Sequence, residues 1–150
     1  MRLVIYVYGR PAPQGSKDLG GAGQLREQSP YLPAWRLAVK VAAYKAYQAA
    51  DIRHTSLPLF PAGTPVVVEQ CTFYVTDEQC RAEGTDLPLG TPDIDKLLRS
   101  TLDALGGVKH GGARMFADDS QVVRIRDLAK ERPSPGRPTG AMIIISDGRD

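Results

Sequence analysis

Cysteine and histidine are scarce in this 150-residue chain, which contains two of each. Cys71 and Cys80 are too few and too awkwardly spaced for a zinc site, and neither His54 nor His110 lies near them at ligand spacing. A chain of this length can bury a core without disulfide bonds. The sequence therefore predicts a reduced, cytoplasmic protein.

Long apolar runs and a strong net charge are also absent. Apolar runs such as Ala141 to Ile145 are far too short to span a bilayer. The first eight residues resemble a short signal peptide, but their alternating β-formers and the lack of a cleavage site favour a strand. The formal net charge of +2 permits nucleic-acid binding without indicating it. Any contact with DNA must therefore come from local patches.

What is present is the pattern of one mixed domain, with no internal repeat and no linker in the sequence. We predict strands at 3–8, 66–75, 120–127 and 141–146, and helices at 33–50 and 92–105. Gly106-Gly107 ends the second helix. The order β, α, β, α, β, β predicts an α+β domain with two helices packed on a small mixed sheet. In the first helix, Leu37, Val41 and Tyr44 recur as one apolar face, while Arg36, Lys40 and Tyr47 line another.

Two carboxylate-rich patches are the most informative pattern in the chain. Asp93 and Asp95 stand at a predicted helix start, and Asp119 stands at the head of the third predicted strand. Mg²⁺ prefers oxygen ligands and is usually held by a few carboxylates together with substrate phosphate. The metal interpretation requires an extended Asp93 with the helix beginning just after it, and a third strand beside that helix start.

Helix and turn chemistry can also account for these aspartates, and the residues alone leave that alternative open. Acids in the first turn of a helix are favoured by its dipole, and Asp-Asp is a common turn composition. An EF-hand is excluded, because Leu97 and Leu98 stand where that loop needs an oxygen ligand and a glycine. No protein nucleophile is visible, since Ser16, Ser100 and Ser120 lack a paired histidine.

The motifs taken together resemble a known family. The stretch Pro92-Asp93-Ile94-Asp95-Lys96-Leu97-Leu98-Arg99 continues to Leu105 and is followed by Asp118-Asp119-Ser120-Gln121-Val122-Val123. Pro13-Gln14-Gly15-Ser16-Lys17 and Trp35-Arg36 precede them. This joint pattern covers roughly half of the chain and is similar to the RusA-like Holliday-junction resolvases, a class of crossover junction endodeoxyribonucleases, especially their phage-borne branch.

The resemblance implies a RusA-like fold and a homodimeric, Mg²⁺-dependent endodeoxyribonuclease, with Mn²⁺ as a possible substitute. Such an enzyme resolves four-way junctions by paired symmetric hydrolytic nicks, in the cytoplasm of a bacterial or phage-infected cell and in association with the nucleoid. The resemblance assigns catalysis and metal binding to Asp93, Asp95 and Asp119. The family's essential lysine corresponds to Arg99 here, and Lys96 is the neighbouring ammonium. No membrane and no small-molecule cofactor is expected. Cleavage of flaps or forks, or branched-DNA binding without catalysis, are the alternatives.

Phosphate contacts are expected from cations spread along the chain. The candidates are Lys17, Arg36, Lys40, Lys109, Arg114, Arg124 and Arg126, together with Arg10. The loop at 77–91 carries four acids against one arginine, so we expect it to repel a phosphate backbone. The segment that carries Lys109 and Arg114 is expected to supply part of the contact instead.

Overall fold

The structure is a computed structural model that describes residues 1–15, 29–50, 56–76, 88–90, 92–107 and 111–149. Its elements in chain order are β1 (Arg2–Tyr8), α1 (Leu32–Ala49), β2 (Val66–Tyr74), α2 (Ile94–Leu105), a short 3-10 helix (Asp119–Gln121), β3 (Val122–Ile125), β4 (Leu128–Glu131) and β5 (Gly140–Ser146). The described residues form one mixed five-stranded sheet with two α-helices, which confirms the predicted α+β class.

The strand order is β1-β5-β2, with β3 and β4 both pairing β2 along one edge. β5 is antiparallel to β1 and β2, whereas β3 and β4 run parallel to β2. The third strand, predicted at 120–127, is therefore shorter than expected, and β4 was missed. The pairing of β2 with β5 is irregular between Val68 and Gln70, opposite the break between β3 and β4. At that break the Arg126 N–H still donates to the Val68 carbonyl at 2.9 Å.

The helices cover one face of the sheet. Along β1, buried Leu3, Ile5 and Val7 alternate with exposed residues that point to the other face. The side chains of Leu3, Ile5 and Val7 belong to a single core cluster that also contains the buried residues of both helices. The opposite face of the sheet, which we call the open face, carries Tyr6 and Tyr8 of β1.

The apolar face that the sequence indicates on α1 is not the face that is buried. Leu37, Val41 and Tyr44 are 61%, 42% and 37% exposed, and the buried face is Leu32, Trp35, Val39, Ala42 and Ala43. The Trp35 ring lies 6.4 Å from the Phe73 ring, and its Nε1 donates to Thr101 Oγ1 at 3.1 Å. Because the indole is buried and bonded at the same time, it fixes which side of the helix faces inward.

Residues 11–14, which follow β1, pack against α2 through hydrogen bonds. Ser100 Oγ donates to the Ala12 carbonyl at 2.7 Å, and the Gln14 N–H donates to the Lys96 carbonyl at 3.2 Å. These bonds hold residues 11–14 against the first half of α2. Within the described ranges, neither helix combines the length and the apolar character needed to cross a bilayer.

Candidate metal centre

The start of α2 meets the backbone requirement for a metal site. Asp93 is extended, with φ −67° and ψ 142°, and the helix begins at Ile94. Although Asp93 occupies the N-cap position, its side chain makes no capping hydrogen bond. The Asp93 side chain is 57% exposed and lies 3.6 Å from the Lys96 ammonium. Helix capping therefore does not account for this carboxylate, which stays open to solvent beside the exposed Asp95.

Lys130 on β4 holds the chain just before these acids. Its ammonium donates to the Gly90 carbonyl at 2.7 Å and to the Pro92 carbonyl at 3.0 Å. Lys130 is in register with buried Phe73 on β2, so it points to the helix-covered face of the sheet. Sequence reasoning missed this residue, because β4 itself was not predicted.

The second aspartate patch is built around Gln121. The buried Gln121 side chain accepts from the N–H groups of Ala117 and Asp118, at 2.8 Å each. Its amide also donates to the carbonyl oxygens of Phe60, Pro61 and Thr64, at 2.9 to 3.2 Å. The Asp118 side chain accepts from the Ser120 N–H and caps the 3-10 helix, as the turn interpretation predicts. Asp119 is the first residue of this 3-10 helix and is exposed.

Asp119 does not lie beside the start of α2 in the same chain. A Cβ placed on Gly106, the residue that follows α2, would be 3.0 Å from Asp119 Oδ1. Asp93 and Gly106 flank a helix of 12 residues, so their Cα atoms are about 20 Å apart. The expectation that one chain brings all three aspartates together is therefore wrong. Among the described residues, no group of three or more His, Cys, Asp or Glu side chains could hold a metal ion.

The strand registers in the sheet independently indicate that Asp93 and Asp119 are far apart. Val122, just after Asp119, is in register with Val66, while Lys130 is in register with Phe73 seven residues further along β2. Seven strand residues span about 23 Å. Asp119 therefore lies near the beginning of β2, and Asp93 lies near its end.

The residues present at the start of α2 fit Mg²⁺. This ion is often held by one or two carboxylates, with water and substrate phosphate completing the shell. Asp93 and Asp95 supply two solvent-exposed carboxylates. Arg99 follows Asp95 by four residues on α2 and is also exposed. Within the described part of the chain, Arg99 makes no ion pair with Asp95 or Asp103, and Asp103 pairs with Arg36 instead.

The predicted phosphate contacts differ in their exposure and in their partners. Arg36 is half-buried, lies 3.7 Å from Asp103 Oδ2 and donates to Gln14 Oε1 at 3.2 Å, so its guanidinium has structural partners. Lys40 is half-buried on α1, and Arg114, Arg124 and Arg126 are exposed. Arg126 approaches Glu69 Oε1 at 3.9 Å. Lys17, Lys109 and most of the acidic 77–91 loop lie outside the described residues.

Comparison with known proteins adds no relative, since neither a protein-family model nor a curated protein matches the chain. Two open carboxylates at one end of α2, a third at the other end and the exposed Arg124 and Arg126, on β3 and just after it, suit a cation and a phosphate backbone.

Proposed function

We propose that the protein is a Mg²⁺-dependent, structure-selective endodeoxyribonuclease of the RusA-like type, which resolves four-way junctions by paired symmetric nicks. The observation that carries the proposal is the Asp93 carboxylate, which stands at a helix start without capping the helix. An exposed acid that does not cap its helix, beside a second exposed acid, suits a cation and is otherwise unfavourable in a protein that binds a polyanion. The choice of a nucleic acid as substrate rests on the resemblance of the joint motif to the RusA-like family.

Each residue at the start of α2 has a distinct task in this proposal. Asp93 and Asp95 would hold the ion, and Lys130 keeps the preceding turn in place through its two carbonyl bonds. Bound Mg²⁺ would supply Lewis-acid activation of water and of the scissile phosphate. Arg99, one turn after Asp95, is placed to bind a phosphate oxygen through its planar guanidinium. Lys96 balances the charge of Asp93 at 3.6 Å before DNA arrives.

A second copy of the chain brings Asp119 into this scheme. Because α2 keeps Asp119 about 20 Å from Asp93 in one chain, the three acids can act on one phosphate only if two chains contribute them. A two-fold axis across the middle of α2 would place the start of one helix beside the end of its partner. Such an isologous homodimer has two equivalent sites, which paired symmetric cuts require.

The test uses a synthetic immobile four-way junction and a linear duplex of matched sequence, each incubated with the protein in Mg²⁺ or EDTA. We expect symmetric nicks in the junction only, in Mg²⁺ only, and their loss in Asp95→Asn. The matched control is Asp127→Asn, an exposed aspartate between β3 and β4 that should cut normally. Equal cutting of the linear duplex would refute junction selectivity, and full activity of Asp95→Asn would refute the site.

A further inference from the structure

A slot between two tyrosines lies on the open face of the sheet. Tyr8 of β1 and Tyr74 of β2 are both in register with Gly140 of β5, which lies between them. Residues in register on neighbouring strands point to the same face, so the two phenol rings flank a position without a side chain. In the next row, Tyr6 and Met142 are in register and line the same cavity of about 250 Å³.

The backbone keeps the floor of this slot bare. Gly140 has φ +154°, and a Cβ at this position would collide with the Val7 carbonyl. Any other residue would therefore disrupt the pairing of β5 with β1. Neighbouring strands lie about 4.8 Å apart, so the Tyr8 and Tyr74 backbones are about 9.6 Å apart. A flat ring held between two others at carbon contact distance needs about 7 to 8 Å. The two backbones are thus far enough apart to admit one planar aromatic ring between the tyrosine side chains.

A stiff turn forms the wall of the slot. Residues 134–137 make a β-turn in which the Arg137 N–H donates to the Ser134 carbonyl at 2.9 Å, with Gly136 at φ +80°. Thr139 Oγ1 donates to the Gly9 carbonyl at 2.9 Å and ties this turn to the end of β1. Arg137 lines the cavity and is exposed, and the described residues that line the cavity include no acid. The wall therefore offers a cationic side chain, carried by a hydrogen-bonded turn, beside the aromatic slot.

We propose that this slot binds one unpaired nucleobase of single-stranded DNA, stacked between Tyr8 and Tyr74, with Arg137 on the adjoining phosphate. Tyrosine rings stack on any base, and arginine pairs with phosphate, so aromatic and cationic groups together identify a single strand as the ligand. Among the described residues, Glu131 is an exposed acid in register with Tyr74, and its charge weakens the attraction of the slot for phosphate. Its removal should therefore tighten binding.

The slot deepens the proposed function, on which its biological role rests. Lys130 and Glu131 are consecutive on β4, and Lys130 holds the turn before Asp93 while Glu131 pairs in register with Tyr74. The slot and the Asp93 carboxylate thus lie at the same end of the sheet, on opposite faces. A single DNA strand that crosses this end of the sheet would place one unpaired base in the slot while its phosphate backbone reaches Asp93 and Asp95. Unpaired bases are available at a branch point and rare in linear duplex.

The test measures binding of a fluorescent short oligothymidylate in EDTA, where no cutting occurs. Tyr8→Ala and Tyr74→Ala should each weaken binding about fivefold to 150-fold, because base stacking on one aromatic ring has a free energy of about 1–3 kcal/mol. Tyr8→Phe should restore it, since stacking needs the ring and not the hydroxyl. Tyr44→Ala, an exposed tyrosine on α1 outside the slot, is the matched control and should bind normally. Glu131→Gln should bind more tightly.

A chain of the same length made of abasic nucleotides separates base recognition from phosphate attraction. The wild-type protein should prefer oligothymidylate to the abasic chain, and Tyr8→Ala should remove that preference. Equal binding of both chains by wild type, or normal binding by Tyr8→Ala, overturns the slot. Junction nicking without oligothymidylate binding would overturn the slot alone. Oligothymidylate binding that depends on Tyr8, without nicking, would overturn the nuclease proposal and leave the slot standing.

Discussion

Lys130→Met tests whether the Lys130 ammonium, on the helix-covered face of the sheet, holds the turn before Asp93. Methionine keeps most of the aliphatic stem but removes both hydrogen bonds, to the Gly90 carbonyl at 2.7 Å and the Pro92 carbonyl at 3.0 Å. A hydrogen bond to a charged group contributes about 1.5–3 kcal/mol. Because Lys130 is only half-buried, we take the lower value for each bond and expect a loss of about 3 kcal/mol at most. In a domain of this size that lowers Tm by up to about 6–12 °C.

The same variant should weaken the metal site without removing a ligand. Loss of a group that orients a metal ligand typically lowers metal affinity about tenfold or more. We therefore expect the Mg²⁺ concentration for half-maximal nicking to rise about tenfold, with activity recovered at high Mg²⁺. Thermal melting and a Mg²⁺ titration measure the two effects, with Lys45→Met, an exposed lysine on α1, as the control. An unchanged Tm together with an unchanged Mg²⁺ requirement would refute the role of Lys130.

Three further predictions concern the framework around the site. Gln121→Leu should lower the free energy of unfolding, measured in urea, by about 3 kcal/mol, because it leaves the Ala117 and Asp118 N–H groups without their acceptor. A loss below about 1 kcal/mol would contradict this prediction. Arg36→Met should destabilise the fold by about 3 kcal/mol by leaving Asp103, which is 5% exposed, without its cation. The double variant Arg36→Met, Asp103→Leu should recover most of that loss. A double variant as unstable as Arg36→Met alone would show that the instability does not come from the unpaired Asp103 carboxylate. Burial raises the pKa of Cys71 to about 12, so in a Cys80→Ser background iodoacetamide should react with it at pH 9 far more slowly in the native than in the unfolded protein. Because the native pKa lies above the ordinary value of 9.0, stability should fall as pH rises from 9.0 towards 12, and a flat stability profile across that range would argue against the burial.

Local chemistry made much of the fold predictable. The Pro92-Asp93 start and the Gly106-Gly107 stop bracket α2, which the structure gives as Ile94–Leu105. Alternation of apolar residues predicted β1, and its buried and exposed positions follow that alternation. The extended backbone of Asp93 also agrees with what the metal interpretation required. These features depend on neighbours in sequence, which is why the residues alone predict them.

Features that depend on partners distant in sequence were not predictable. Helix α1 carries two overlapping apolar stripes, and the choice between them depends on contacts of Trp35 with Phe73 and Thr101. The division of the third strand follows an irregularity in its neighbour β2. The position of Asp119 at the far end of α2 depends on Gln121, whose five backbone partners include three some 60 residues earlier. A spacing pattern contains none of this information.

The most direct test uses two variants that should each be inactive, Asp95→Asn and Asp119→Asn. The two proteins are mixed, unfolded and refolded together, and the refolded mixture is then assayed for nicking of a four-way junction. If Asp93 and Asp95 of one chain act with Asp119 of its partner, each mixed dimer keeps one intact site. Random pairing then restores roughly a quarter of the wild-type nicking rate, as single rather than paired cuts. A mixture as inactive as either variant alone, beside an active wild type treated in the same way, would contradict the account.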